Sequence, residues 1–501
     1  MAAVSVAMML IPQSLAYAQL AGLPPVHGLY AAAAAPLLAA AAGSSPYLQT
    51  GPTAMISLMT LGALAPLAPL GTAEIAAHAA VLAVLVGAFR LILVLLRAGA
   101  FAYLLSEPAI HGFTVAVAVL IVASQVPALV DLPPSSANPF ASAAGALADP
   151  AQWELSAVAV GCGTVLVLVL LRRAGPLLPA APLVAAVGLA VGSLTAYSGS
   201  LVGPIPAVLP TVRLDLLWSA VPQLLLPASV IAVIGFAEAV AIARRYAAQE
   251  RQRWDPNREL LGQGLASIGA GLVGGYPPGG SLSRSAQNKA AGATSRWSGA
   301  LTGVLVLCAL PVAGLLAGLP RAVLAGLVIA PTLSLLSFTG FTRSWRLSPL
   351  QGSVGLATFA ATLAFAPRIE RGVLVGVGLA VAVHLWRELR LDITAELTPD
   401  DVLHVRPEGV LYYASAPALQ DKVIQTLGRY PEARALVIHL GGLGRIDLSG
   451  MLAIRELLAC SLALPVTLAD IPAHSERLLA RVLPDQCQDS TPGAPSEEET
   501  T

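Results

Sequence analysis

Charge is what this chain has least of. Of its 501 residues only 11% are Asp, Glu, Lys or Arg, against about 25% in a soluble domain. With 56% hydrophobic residues and a mean hydropathy of +0.76, that scarcity excludes water as the surroundings of most of the chain. Lysine is almost missing: Lys289 and Lys422 are the two present, and arginine takes every other basic position. The formal net charge is zero, so no basic field points to nucleic acid. The four cysteines, at 162, 308, 460 and 487, stand at neither disulfide nor metal-ligand spacings. The apolar stretches hold no HExxH, no nucleophile–base pair and no ligand cluster, so no metal, no cofactor and no enzymatic reaction are expected.

What is there is a succession of long apolar runs, the pattern of a polytopic α-helical membrane protein rather than a barrel. Fourteen helical segments are expected before residue 390, starting near residues 1, 28, 51, 73, 103, 155, 179, 222, 258, 281, 296, 320, 347 and 370. "MAAVSVAMMLIPQSLAYAQL" reads as the first of them, or as one that followed a short cytoplasmic leader; no cleavage site of a signal peptide comes after it. With a cytoplasmic N-terminus, twelve arginines fall at inner helix ends or loops, among them Arg97, Arg172, Arg253, Arg258, Arg343 and Arg346. Four fall outside: Arg213, Arg321, Arg368 and Arg371. The excess favours that orientation in a cell inner or plasma membrane, with both termini cytoplasmic.

Past "HLWRELR" the character changes. Residues 396–486 are mixed and charged, with β-branched runs such as "VLHV", "GVLYY" and "ALVIHL" alternating with helical patterns at 418–429, 448–460 and 474–483. The division predicts a transport domain over 1–390, a small cytoplasmic α/β domain over 396–486, and a polar, acidic, disordered tail over 487–501.

Two apolar segments are interrupted. "GSSPYLQTGPTAMISLMTLGAL" (43–64) and "GGYPPGGSLSRSAQNK" (274–289) each run from a proline-containing extended piece into a helix. The fourteen residues from Gly51 to Leu64, and again from Ser281 to Thr294, make about 21 Å of helix against roughly 30 Å of hydrocarbon. Each is the third segment of a group of seven, and an odd group, duplicated, places its second copy upside down. Short, glycine- and proline-broken segments at matching positions of inverted halves point to a transporter's binding site. Two facing helix N-termini form an anion site from backbone N–H groups alone. Thr50, Thr53, Ser281, Ser283 and Ser285 add hydroxyls, and Arg284 adds a fixed cation. The competing reading makes "YPPGG" an outer loop with Arg284 reaching to the headgroups.

Four motifs carry a resemblance. "IPQSLAYAQLAGLPPVHGLYAA" (11–32), "GPTAMISLM" (51–59), "GFAEAVAIAR" (235–244) with "NRELLGQGLASIGAGLVGGYPPGGSLSRSAQNKAAGATS" (257–295), and "IDLSGMLAIREL" (446–457) occur in that order. They resemble the first helix, third helix, eighth-to-tenth-helix region and cytoplasmic STAS domain of the sulfate permease (SulP), or solute carrier 26, anion transporters. The resemblance implies seven-plus-seven inverted repeats in the nucleobase-transporter-like fold. A core domain would hold the first four segments and those over 222–318, and a gate domain the rest. It implies elevator-type movement, a homodimer in the lipid bilayer, and a STAS domain that docks cytoplasmic regulators. It also implies the site residues: Gln13 as an amide donor, Tyr17 lining the pocket, Thr53 and Ala54 at the third helix, and Ser283 and Arg284 at the tenth. Where animal members carry an aromatic after the third-helix GP, this chain has Thr53, a departure toward a more polar pocket.

Glu238, in "GFAEAVAIAR", is a carboxylate inside an apolar span. It is expected either to take up a proton as the anion binds, giving symport, or to form a permanent salt bridge with Arg284. In the α/β domain, Asp447 or Ser449 is expected to cap a helix, and Ser449 is also a conceivable phosphorylation switch. The expected function is secondary active transport of sulfate, bicarbonate, chloride or a dicarboxylate. The alternatives are a nucleobase-type carrier of the same fold and an anion channel or voltage-responsive motor.

Overall fold

The computed structural model describes residues 1–67, 71–97, 99, 106–174, 180–459 and 464–483. The tail expected at 487–501 lies outside them. The helices of the apolar part are α1 (Ala2–Leu20), α2 (Pro25–Ala42), α3 (Ala54–Leu64), α4 (Thr72–Leu95), α5 (Glu107–Leu129), α6 (Pro139–Ala148), α7 (Leu155–Ala174) and α8 (Ala180–Leu194). They continue as α9 (Val221–Glu250), α10 (Pro256–Leu272), α11 (Leu282–Ala290), α12 (Trp297–Ala309), α13 (Arg321–Thr332), α14 (Thr339–Leu347), α15 (Pro349–Ala364) and α16 (Ile369–Glu388). Among the described residues, nine helical stretches are long and apolar enough to cross a bilayer. The short helices α6 and α14 were not among the expected segments; α6 begins at the polar cap Asn138, whereas α14 begins after Phe338 with no side-chain cap.

Local chemistry sets the ends. Ser106, Asn138, Asp255 and Ser348 each accept a backbone N–H of the first turn, and a proline follows within the first two helical positions of α5, α6, α10 and α15. There its missing N–H costs no intrahelical bond. Two groups of helices result: α1–α4 pack with α9–α12, and α5–α8 with α13–α15. The groups meet chiefly where α1 touches α8 and α13 and where α3 touches α5.

Residues Val381–Thr501 form a second compact unit. Its sheet has β3 (Asp392–Leu397), β4 (Val402–Leu411), β5 (Ala435–His439), β6 (Leu443–Ile446) and β7 (Val466–Ala469), and its helices are α17 (Ala416–Arg429), α18 (Leu448–Ala459) and α19 (Glu476–Val482). β3 pairs antiparallel with β4, while the β4–β5, β4–β6 and β5–β7 pairs are parallel. Leu403, Val405, Leu436 and Ile438 point into the core with full burial, alternating with half-buried or exposed neighbours as a strand period requires. The expected start at 396 is four residues late: β3 begins at Asp392, because "DITAEL" alternates as a strand although it follows the helix directly. The two compact units divide at Ala380, within α16.

Candidate anion-binding site

The two interrupted segments meet. β1 (Thr50–Gly51) pairs antiparallel with β2 (Gly279–Gly280), Thr50 opposite Gly280 and Gly51 opposite Gly279. Ser281 N–H donates to the Gln49 carbonyl at 3.0 Å, extending the ladder by one bond. These strands lead directly into α3 and α11, so the two helices begin beside each other. Glycine at 280 suits the pairing, since an added Cβ would lie 3.0 Å from the Ala239 Cα on α9, a tight contact with backbone.

Both helices are shorter than expected, eleven and nine residues instead of fourteen. The strands consume the residues before Thr53 and Ser281, and α11 ends at Ala290, before Gly292 at φ +84°. They span about 17 and 14 Å. Thr53 Oγ1 caps α3 by accepting from Ile56 N–H, and Ser281 Oγ caps α11 by accepting from Arg284 N–H. The first helical bonds are Ser57 N–H to Thr53 O and Ser285 N–H to Ser281 O. The N–H groups of Ala54, Met55, Leu282 and Ser283 therefore precede the first intrahelical bond of either helix.

Arg284 reaches between the halves. Its side chain is 1% exposed, and a side chain added at Gly51 would lie 3.5 Å from its Nη2. The guanidinium of the second segment thus sits against the strand that introduces the first. Nε, Nη1 and Nη2 have no hydrogen-bond partner. Glu238, on α9, does not pair with it: no ion pair joins the two, and Glu238 Oε2 is itself buried without a partner. No direct Glu238–Arg284 ion pair is formed in this structure, although each charge lies in the other's field. The loop reading of Arg284 is also corrected, since its side chain is enclosed rather than extended to a surface.

The other expected residues fall around this point. Gln13 is buried on α1 with Oε1 unpartnered, and Tyr17 is buried one turn further along the same face. Thr53 is the buried cap of α3 and Ala54 its first residue. Ser283 is half-buried, its hydroxyl 3.4 Å from that of Ser281. Ser449 lies far along the chain in the first turn of α18, where Asp447 Oδ1, and not Ser449, takes the Gly450 N–H at 2.7 Å.

Four supporting residues escaped the sequence reading. Gln263 Nε2 donates to Thr50 Oγ1 at 2.7 Å, fixing β1 from α10. Tyr276, the aromatic of "YPPGG", is wholly buried with its hydroxyl 3.1 Å from that of Ser57 on α3. Asn288 Nδ2 donates to the Tyr47 carbonyl, and beside it Ser285, already singled out in the sequence, accepts from Gln49 N–H at 2.9 Å through its Oγ. Arg90 on α4 is a second wholly buried guanidinium, but two of its three nitrogens are bound by protein: Nη1 donates to Ser267 Oγ at 2.7 Å and to the Gln263 carbonyl, and Nε to the Ala232 carbonyl, while Nη2 has no partner. Its signal was the polar "QGLAS" on α10, a face of Gln263 and Ser267 that an apolar span has no reason to carry.

Two cavities flank α11. One of about 240 Å³ is lined by Ser5, Met9 and Gln13 of α1, by Ser283 and Gln287 of α11, and by Arg172 of α7. The other, of about 330 Å³, is mostly apolar and is lined by Glu238, Ala241 and Arg245 of α9 with Met55, Leu282 and Phe113. Gln13 and Ser283 therefore face one cavity and Glu238 the other, and Arg284 is among the lining residues of neither.

Long apolar helices broken in mid-course by a pair of facing half-helices define a polytopic membrane transporter. The sequence matches the model of the sulfate permease family over residues 1–358. It is 31% identical over 457 residues to a probable sulfate transporter of Arabidopsis thaliana, covering 84% of this chain and 66% of that protein, so it spans about two thirds of the relative's length. It is 34% identical over 398 residues to a probable sulfate transporter of Mycobacterium tuberculosis, covering 78% of this chain and 70% of that one. The fold superposes on the murine solute carrier 26 member A9 anion transporter in its inward-facing state with a TM-score of 0.85, at 22% identity, covering 96% of this chain and 86% of that chain. The chain belongs to the sulfate permease family, a family of transporters and not of enzymes.

Proposed function

We propose that the chain is a secondary active carrier of small anions, of the sulfate, bicarbonate, chloride or dicarboxylate class, and that the anion binds between the N-termini of α3 and α11. The observation that carries this is Arg284, enclosed between the two half-helices with every guanidinium nitrogen unpaired by protein. A buried charge without a partner costs several kcal/mol, and an anion at this point would remove that cost while satisfying the N–H groups of Ala54, Met55, Leu282 and Ser283. Gln13, Tyr17 and Thr53 complete the lining.

Three further features follow in the same reading. The antiparallel β1–β2 pair relates the segments by a local two-fold, as two inverted sevens of helices require. The two helix groups are the core and the gate, and elevator-type sliding between them gives alternating access. Glu238, half-buried with its Oε2 free of hydrogen bonds, accepts a proton when the anion arrives, which makes the carrier a symporter. The protein works as a homodimer in the cell inner membrane with both termini cytoplasmic, and the C-terminal α/β unit is its STAS domain, docking regulators. A nucleobase carrier is disfavoured because the unpaired site group is a cation, and nucleobases are better met by acidic side chains.

The test is uptake into proteoliposomes of radiolabelled sulfate, bicarbonate and dicarboxylates, with and without an imposed pH gradient. Saturable uptake of an anion that the gradient drives above equilibrium, and that Glu238→Gln no longer concentrates, is expected. Accumulation that survives Glu238→Gln removes the coupling role. Single-channel currents in place of saturable uptake would make the protein a channel.

A further inference from the structure

Away from the anion site, the end of α2, the α9–α10 turn and the α11–α12 turn meet around a cavity of about 710 Å³. Arg253, Arg258 and Arg296 line it, with Ser44, Thr294 and Trp254; Asp255 is the one acid among the lining residues. That carboxylate is occupied elsewhere, since its Oδ1 accepts the N–H groups of Asn257 at 2.8 Å and Arg258 at 3.2 Å as the cap of α10. Glu259 is likewise engaged, its Oε2 accepting from Ser44 N–H, Ser45 N–H and the Ser44 hydroxyl. Among the described residues no ion pair satisfies any of the three arginines. Three guanidinium groups thus line a space that holds one carboxylate, and none of the three is in an ion pair.

Two independent features make this more than a basic surface. The Trp254 indole Nε1 is buried and has no hydrogen-bond partner, a neutral donor kept beside the arginines. Arg258 occupies the first turn of the seventeen-residue α10, the end where the helix dipole disfavours a cation and favours an anion. Arg296 is already set in place, its Nη1 donating to the Gly43 carbonyl at 2.6 Å and its guanidinium stacked 5.6 Å from the Trp297 ring. α2 and α9 end here and α10 and α12 begin here, with Trp254 and Trp297 next to those ends in the chain, and tryptophan is a residue type enriched at membrane–water boundaries.

We propose that this cavity binds a phosphate-ester group. The planar forks of the arginines match the tetrahedral oxygens of phosphate, and the Thr294 and Ser295 hydroxyls offer further donors. An anionic phospholipid headgroup and a soluble phosphate share this chemistry. The site holds Gly43–Pro46, the run leading into β1, against Thr294–Arg296, the run leaving α11. An occupant therefore braces the chain on both sides of the half-helix pair and couples to the anion site without touching it.

The experiment uses the full chain in nanodiscs and reads its melting temperature in three media: neutral phosphatidylcholine, phosphatidylcholine with phosphatidylglycerol, and neutral lipid with added inorganic pyrophosphate. A saturable rise of about 3 °C or more is expected in at least one of the latter two. A rise with phosphatidylglycerol identifies lipid as the source, and a rise with pyrophosphate a soluble phosphate. The double variant Arg253→Gln/Arg258→Gln should melt like the parent in neutral lipid and lose the rise, with the single variant Arg253→Gln losing part of it. The control Arg343→Gln/Arg346→Gln, on exposed α14, should keep it. No rise in either medium, an undiminished rise in the double variant, or an equal loss in the control overturns the proposal.

Discussion

Among the described residues two arginines are buried, and their surroundings assign them opposite tasks. Arg90 is held by Ser267 Oγ and by the carbonyls of Gln263 and Ala232, so it ties α4 to α9 and α10. Arg284 is held by nothing. Stability and function should therefore separate. Ser267→Ala strips Arg90 of its hydroxyl acceptor and should lower stability by about 1–3 kcal/mol, read as a fall in melting temperature. Arg284→Ala removes an uncompensated charge and should leave the melting temperature unchanged or raised, a gain of the kind that binding sites forgo. A marked loss of stability at Arg284→Ala would show that the protein itself satisfies that side chain. Arg284 stood out in the sequence because it is charged, flanked by serines and set in a broken apolar segment. Arg90 did not, because one arginine in "VGAFRLILVL" reads equally well as a helix-end residue, and only the packing of α10 against α4 shows that it is enclosed.

At the scale of elements, the site depends on where two helices begin. Those starts are fixed by three devices: the serine and threonine caps, the β1–β2 pair, and the Gln263–Thr50 bond from α10. Each cap replaced by alanine should cost about 1 kcal/mol. Gly280→Val should cost more, about 1–3 kcal/mol, since the nearest obstruction is the Ala239 backbone rather than a side chain that can turn aside. Thermal unfolding of the purified variants checks both, and a Gly280→Val protein as stable as its parent would mean the strands are not held in this register. The extended pieces before both helices could be read from "SPYLQTGP" and "GGYPPGGS", because proline and glycine refuse helix. Their pairing could not, since it joins residues more than two hundred positions apart. The helix lengths were overestimated because composition shows neither the residues that strand and cap take before α3 nor the stop of α11 at Ala290, short of Thr294.

For the whole molecule, the arrangement of donors and carboxylate on different cavities bears on coupling. Glu238 opens on the cavity with Arg245 and Ala241, and Gln13 and Ser283 on the cavity with Arg172. Neutralising Glu238 should therefore spare the anion contacts: Glu238→Gln should lose accumulation driven by a pH gradient while still exchanging labelled for unlabelled anion at equal pH. Loss of both would mean that the carboxylate holds the site together rather than coupling it. The division into an apolar helical part and an α/β unit was plain from charge density alone, and so was the alternation of strands and helices in the latter. The boundary was less so, because α16 continues with little change of composition into the charged segment before β3. The central claim is that an anion binds at Arg284 between the ends of α3 and α11. Its most direct test is saturable uptake of the transported anion by reconstituted Arg284→Ala, beside an Arg343→Ala/Arg346→Ala control whose substituted positions are exposed on α14. The account predicts that Arg284→Ala weakens apparent affinity roughly 30-fold or more, equivalent to losing about 2 kcal/mol or more from a buried charged contact, with the control near the parent. Equal uptake by Arg284→Ala and the parent, or an equal loss in the control, would contradict it.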